Sequence, residues 1–155
     1  MVKLGILAID PGSRNLGWVY MEDRQIVQGP GTVKLWGGGD KRTYLNIHAF
    51  IQGHIRAVAP DLVALESYFP RRQKGAVVIP ELRGIIKLVS YQMGLDVLEV
   101  SPPTVKKTIT GNGRADKDLV RKTVNEEYGL SLSSTDEADA IAIAVTAFRK
   151  MEDER

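Results

Sequence analysis

The 155-residue chain contains no cysteine. No disulfide framework, thiolate metal site or thiol nucleophile is therefore open to it. It has no apolar run near the roughly 20 residues of a membrane-spanning helix. The opening MVKLGILAID reaches Asp10 after a short apolar stretch and shows no small-residue cleavage site, so it does not read as a secretory signal. These absences point to a cytoplasmic protein, and the lack of cysteine also suits a thermophile. Neither sign of charge dominates: 21 Lys and Arg stand against 19 Asp and Glu, a net +2. Apolar residues at 43% and charged residues at 26% are ordinary globular values. The length suits one domain over 1–155 and is too short for two lobes with a cleft between them.

Residues 3–10 (KLGILAID) are apolar on both alternating faces, which predicts a central strand covered on both sides and ending at Asp10. Pro11-Gly12 is a turn signal. Residues 16–21 and 26–35 then predict an antiparallel meander. The spacing predicts a helix over 43–58, with Leu45, Phe50, Ile51, Ile55 and Val58 facing inward and Pro60 as its stop. DLVALE (61–66) predicts a second buried strand in which Leu62, Ala64 and Glu66 share a face. A helix over 80–93 follows, then a short strand over 95–100. Further helices are predicted over 103–109, over 115–128 with Leu119, Val120, Val124 and Tyr128 inward, and over 135–150. Strands first, then alternating helices and strands, predict an α/β fold: a mixed sheet with helices on its faces.

Four acids stand in unusual places. Asp10 and Glu66 end two otherwise apolar strands, and Asp136 and Asp139 lie three apart at the start of the alanine-rich DEADAIAIAVTAF. Three residues advance a helix by about 300°, so both carboxylates face one way while Glu137 points elsewhere. Alanines 138, 140, 142 and 144 allow that helix to approach the sheet closely. A lone strand-end acid also serves as a turn former, and Asp136 also serves as a helix N-cap. Carboxylates converging in an apolar surround repel one another unless a cation sits among them. Hard divalent cations take such oxygen ligands, and two of them can drive phosphodiester hydrolysis.

The cations cluster. Residues 71–74 read RRQK, and from Pro102 to Lys122 six cations face two acids. Two basic segments in one small chain point to a polyanionic partner. Other features resemble sites without being sites. WGGGDKRT lacks the spacing of a phosphate-binding loop. GNG (111–113) reads as a backbone turn. His48 and His54, six apart on one helix, read as surface residues rather than a metal pair. Ser67 has no histidine placed to activate it.

Taken together, these residues resemble the RuvC family of Holliday-junction resolvases, nucleases of the ribonuclease H-like superfamily. LAIDPGSRNLGWV is similar to the family's first motif and PDLVALESYF to its second. SPPTVKKTITGNGRADKDLV is similar to its basic segment and DEADAIAIAVT to its last motif. Between the second motif and the next helix the chain departs from the family pattern, with only Arg83-Gly84 matching. The short, divergent form suits a bacteriophage member or one from a thermophile.

The resemblance implies a ribonuclease H-like mixed five-stranded sheet flanked by helices. It implies metal-dependent cleavage of a DNA phosphodiester that leaves a 5′-phosphate, with Mg²⁺, or Mn²⁺ in its place, as two ions per site. Asp10, Glu66, Asp136 and Asp139 are the implied metal ligands and catalytic acids. Lys117 is implied at the scissile phosphate, Lys106 as the second functional lysine and Phe69 as the aromatic that stacks on a junction base. Arg71, Arg72, Lys74, Lys107 and Arg114 add DNA contacts from the basic segments. The implied partners are branched DNA, above all the four-way junction, a second copy of the chain in a homodimer, and branch-migration machinery; no membrane is involved. The 80–93 helix is the expected dimer interface, through Ile85, Ile86, Val89 and Met93, broadened by Leu82, Leu88 and Tyr91. Three other readings stay open: a nuclease of broader branched-DNA specificity, an actin-like or sugar-kinase-like ATPase, which would need a second lobe, and a non-catalytic junction-binding module on the same fold, which should have lost its acids.

Overall fold

The computed structural model describes residues 2–12, 14–35, 39–70 and 77–155. Five strands form one sheet: β1 (Gly5–Pro11), β2 (Asn15–Glu22), β3 (Gln25–Lys34), β4 (Leu62–Glu66) and β5 (Asp96–Val100). Their order is β3-β2-β1-β4-β5. β1, β2 and β3 pair antiparallel, while β4 and β5 run parallel to β1. The expected mixed five-stranded sheet is therefore present. β1 is central, and Ile6 through Ile9 are fully buried on both faces, the reason its sequence does not alternate.

Five helices cover the sheet: α1 (Lys41–Val58), α2 (Val78–Gln92), α3 (Pro102–Thr110), α4 (Lys117–Tyr128) and α5 (Thr135–Asp153). Side-chain parity sorts the strands into two cores. Ile6, Ala8, Leu62, Ala64 and Val100 face α3, α4 and α5. Leu7, Ile9, Val63 and Leu65 face α1 and α2. Local chemistry sets the helix ends. The Asp40 carboxylate accepts from the Thr43 N–H to start α1, Ser101 caps α3, Asp116 caps α4, and Gly111 closes α3 in the left-handed region that the predicted GNG turn requires.

Three sequence expectations need correction. The inward face of α1 is Thr43, Ile47, Ile51 and Ile55, spaced four apart; Leu45 is exposed. Leu119 of α4 is exposed, while Val120 and Val124 are buried and Tyr128 packs partly against the same core. His54 is not a plain surface residue. Its ring packs 4.5 Å from that of Trp18 and 4.0 Å from that of Phe50, in a half-buried aromatic group over β2.

The expected dimer helix also divides differently. Leu82, Ile86 and Val89 are buried inside the chain's own core, and Ile85 and Met93 pack partly against it. The outward large apolar residues of α2 are Leu88 and Tyr91, 54% and 55% exposed. Among the described residues, no helix is long and apolar enough to cross a membrane.

Candidate active site

Asp10 occupies the second-last position of β1, two and four residues beyond Ala8 and Ile6, so strand alternation turns it toward α5. Glu66 closes β4 with the parity of Leu62 and Ala64, toward the same helix. The first turns of α5 bring Asp136 and Asp139 over these strand ends. Ser134 caps that helix, its hydroxyl accepting from the Asp136 N–H at 3.2 Å; Asp136 itself lies in the first turn and is not the cap. Ala138, Ala140, Ala142 and Ala144 are fully buried, which permits the close approach. Glu137 turns away and accepts a hydrogen bond from the Thr32 hydroxyl at 3.0 Å.

Gly17, the register partner of Asp10 on β2, fixes how near α5 comes. A Cβ at Gly17 would sit 2.2 Å from the Asp136 carbonyl oxygen, so the helix rests on bare strand backbone there. Nothing in the sequence reading marked Gly17. A glycine inside a strand, opposite a candidate catalytic acid, is the signal that marks such an approach.

The electrostatics follow from this crowding. The Asp10 carboxyl is pushed up to about 8, by burial first and then by the charges of Asp139 and Glu66; Lys117 opposes the rise. Burial and Asp139 raise Glu66, against the pull of Lys117, Lys106 and Arg83. Burial also raises Asp139, against Lys117, whose ammonium lies 3.7 Å from an Asp139 oxygen. The acids thus feel one another across a shared volume. They do not close on a single point: among the described residues, no three acidic or histidine side chains converge as a ready-made metal cage. Lys117 supplies neutralising charge to Asp10, Glu66 and Asp139 alike. The donor set is all carboxylate, the type that Mg²⁺ and Mn²⁺ prefer, and the uncompensated negative charge fits a divalent cation.

The basic residues separate. Lys106 and Lys117 act on the acid cluster. Lys107 turns instead into a cleft of about 710 Å³ between α3 and the later turns of α5. Arg114 is exposed in the turn before α4, where its backbone N–H donates to the Asn112 side chain. Phe69, three residues beyond Glu66, is 63% exposed and belongs to no core. Arg71, Arg72 and Lys74 lie outside the described residues.

Comparison with known proteins shows the family. The family model described as crossover junction endodeoxyribonuclease RuvC matches residues 6–147. A protein of that name from Gloeobacter violaceus is 32% identical over 160 residues, covering 96% of this chain and 90% of its own length. One from Rubrobacter xylanophilus is 35% identical over 150 residues, covering 92% and 84%. The structure of Thermus thermophilus RuvC in complex with a Holliday junction substrate superposes with a TM-score of 0.83 at 28% identity, covering 97% of this chain and 96% of that one. The yeast mitochondrial Holliday junction resolvase shares the fold, with a TM-score of 0.62 at 12% identity over 93% of this chain and 77% of that one. With most of its length matched by the family model and by relatives above 30% identity, the chain belongs to the RuvC family of crossover junction endodeoxyribonucleases.

Proposed function

We propose that this chain is a structure-selective endonuclease that resolves four-way DNA junctions by paired symmetric nicks in recombination and repair. One observation carries the reading of the site: Asp10, held in a buried position beside Asp139 and Glu66, has its carboxyl pushed up to about 8. Burial and the neighbouring carboxylates both disfavour the charged form of Asp10, an electrostatic setting that a bound divalent cation relieves. Asp10, Glu66, Asp136 and Asp139 would hold Mg²⁺, or Mn²⁺ in its place, as a pair of ions. When bound, such ions activate water and stabilise the leaving oxygen of a phosphodiester.

The chain's own residues supply the rest. Lys117, which reaches the Asp139 carboxylate, would neutralise charge at the scissile phosphate. Lys106 adds a second positive charge beside Glu66. Lys107 and Arg114, with Arg71, Arg72 and Lys74, hold flanking phosphates, contacts that position DNA without reading its sequence. Phe69 offers an exposed ring for an unpaired base at the branch. One nuclease domain over 1–155, two copies of which meet a two-fold symmetric junction, accounts for paired nicks. A cytoplasmic location and contact with branch-migration machinery go with that role.

The test is single-turnover cleavage of a labelled four-way junction, beside a replication fork and a linear duplex, with MgCl₂ and with EDTA. Glu66→Gln and Asp139→Asn are expected to abolish cleavage while keeping junction binding. Retention of more than about a tenth of the wild-type rate in both variants, a loss of less than about 1.4 kcal/mol of transition-state stabilisation, contradicts the metal assignment. Equal cleavage of fork and junction favours the broader branched-DNA nuclease.

A further inference from the structure

Arg83, in the second turn of α2, is a cation with only 7% of its surface exposed. A charge so covered requires partners, and it has two. One guanidinium nitrogen donates to the backbone carbonyl of Glu66, and another to the Glu99 carboxylate on β5. Lys87, one turn along α2, lies 3.1 Å from the same Glu99 oxygen.

The sheet register explains why the Glu66 carbonyl needs such a donor. The Ser67 N–H bonds the Val100 carbonyl on the β5 side. Backbone groups alternate sides along a strand, so the Glu66 carbonyl turns toward β1. There β1 and β4 pair through Ile9 and Leu65. One step further, the donor in register is residue 11, a proline with no N–H to give. The carbonyl of the residue that ends the catalytic strand would be left without its ladder bond. Arg83 reaches in from α2 and makes it.

We propose that Arg83 is a positioning residue: by replacing the ladder bond that Pro11 cannot make, it fixes the end of β4 and so the aim of the Glu66 carboxylate at the metal site. This inference rests on the reading of Glu66 as a metal ligand. It makes α2, which packs against the core on one face and exposes Leu88 and Tyr91 on the other, a lever on the catalytic strand.

The test uses the full chain. Arg83→Met removes the donor and leaves Glu99 paired with Lys87. Arg83→Met/Glu99→Gln removes both charges of the pair together, the buried Arg83 and the partly exposed Glu99, which protects the fold where the single variant is unstable. Mn²⁺ binding to the DNA-free protein is measured by titration calorimetry, and junction affinity and single-turnover cleavage are measured alongside. Both variants are expected to bind Mn²⁺ at least about fivefold more weakly and to cleave at least about tenfold more slowly, a loss near 1.4 kcal/mol, with junction affinity within about threefold of wild type. Adding Pro11→Ala to Arg83→Met supplies a backbone N–H and is expected to recover Mn²⁺ affinity. Wild-type Mn²⁺ affinity and rate in a folded Arg83 variant, or no recovery with Pro11→Ala, would overturn the proposal. Asp10→Asn serves as the control: if it still cleaves, the reading of the active site fails instead.

Discussion

The backbone of Gly17 on β2 touches the backbone of Asp136 on α5 so closely that a Cβ on Gly17 would overlap the Asp136 carbonyl oxygen at 2.2 Å. Neither partner is a flexible side-chain end, so one main chain must move to admit even a methyl group. Gly17→Ala is expected to lift the first turn of α5, which carries Asp136 and Asp139. Overpacking of this kind costs about 1–3 kcal/mol of stability. The cleavage loss should exceed what that destabilisation explains, at least about tenfold in single-turnover rate for each 1.4 kcal/mol of misplaced transition-state binding. A variant with wild-type cleavage and a wild-type melting temperature would show that the turn can move freely.

The crowding of Asp10 predicts how stability depends on pH. In the metal-free protein its carboxyl is pushed up to about 8, whereas the ordinary value is 3.8. Between those values the folded state keeps a proton that the unfolded state has released. Stability of the metal-free protein therefore falls as pH rises from about 4 to about 8. Glu66 and Asp139 shift the same way and add to the slope. Thermal melts in EDTA across that window are expected to show a declining melting temperature. Asp10→Asn should flatten the slope and raise the melting temperature at its upper end, by about 2–4 °C for each 1 kcal/mol at this size. MnCl₂ should restore the wild-type protein there. A melting temperature that climbs with pH in EDTA would contradict the assignment.

Phe69 stands clear of both cores, so Phe69→Ala separates stacking from packing. Loss of a base-stacking ring weakens nucleic-acid binding by about 1–3 kcal/mol, whereas loss of a core phenylalanine costs about 3–5 kcal/mol of folding stability. The expectation is weaker branched-DNA binding with an unchanged melting temperature, read by fluorescence anisotropy and calorimetry. The reverse pattern would assign the ring to the fold.

The outward face of α2 predicts which substitutions separate a dimer. Leu88 and Tyr91 lie three apart on one face, and Gly84, one turn before Leu88, leaves open space above its backbone. Leu88→Glu/Tyr91→Glu is expected to give a folded monomer that nicks one strand and no longer makes paired cuts, as read by sedimentation and a cruciform-plasmid assay. Ile86→Lys should instead unfold the chain, because Ile86 has no exposed surface. Wild-type protein that sediments as a monomer with and without junction DNA, while still making paired cuts, would refute the dimer.

The order of elements, the two strand-end acids, the acid pair on α5 and the basic segment were all legible in the sequence. Each is a local pattern: an apolar run broken by one carboxylate, an i,i+3 spacing, a cluster of like charges. Helix faces were less so, since Leu45 and Leu119 are apolar yet exposed, and hydrophobicity alone does not say which side a neighbouring layer will cover. Three relationships belong to the tertiary structure alone. Gly17 matters because α5 crosses β2 there, Arg83 because β4 and β5 end beneath α2, and Pro11 because it falls opposite the Glu66 carbonyl in the register. The sequence determined which groups are the candidates for the chemistry, because their charge and spacing are written in the chain. Only the packed sheet and helices decided what holds those groups in place, because contacts between residues far apart in sequence exist only once the layers have closed.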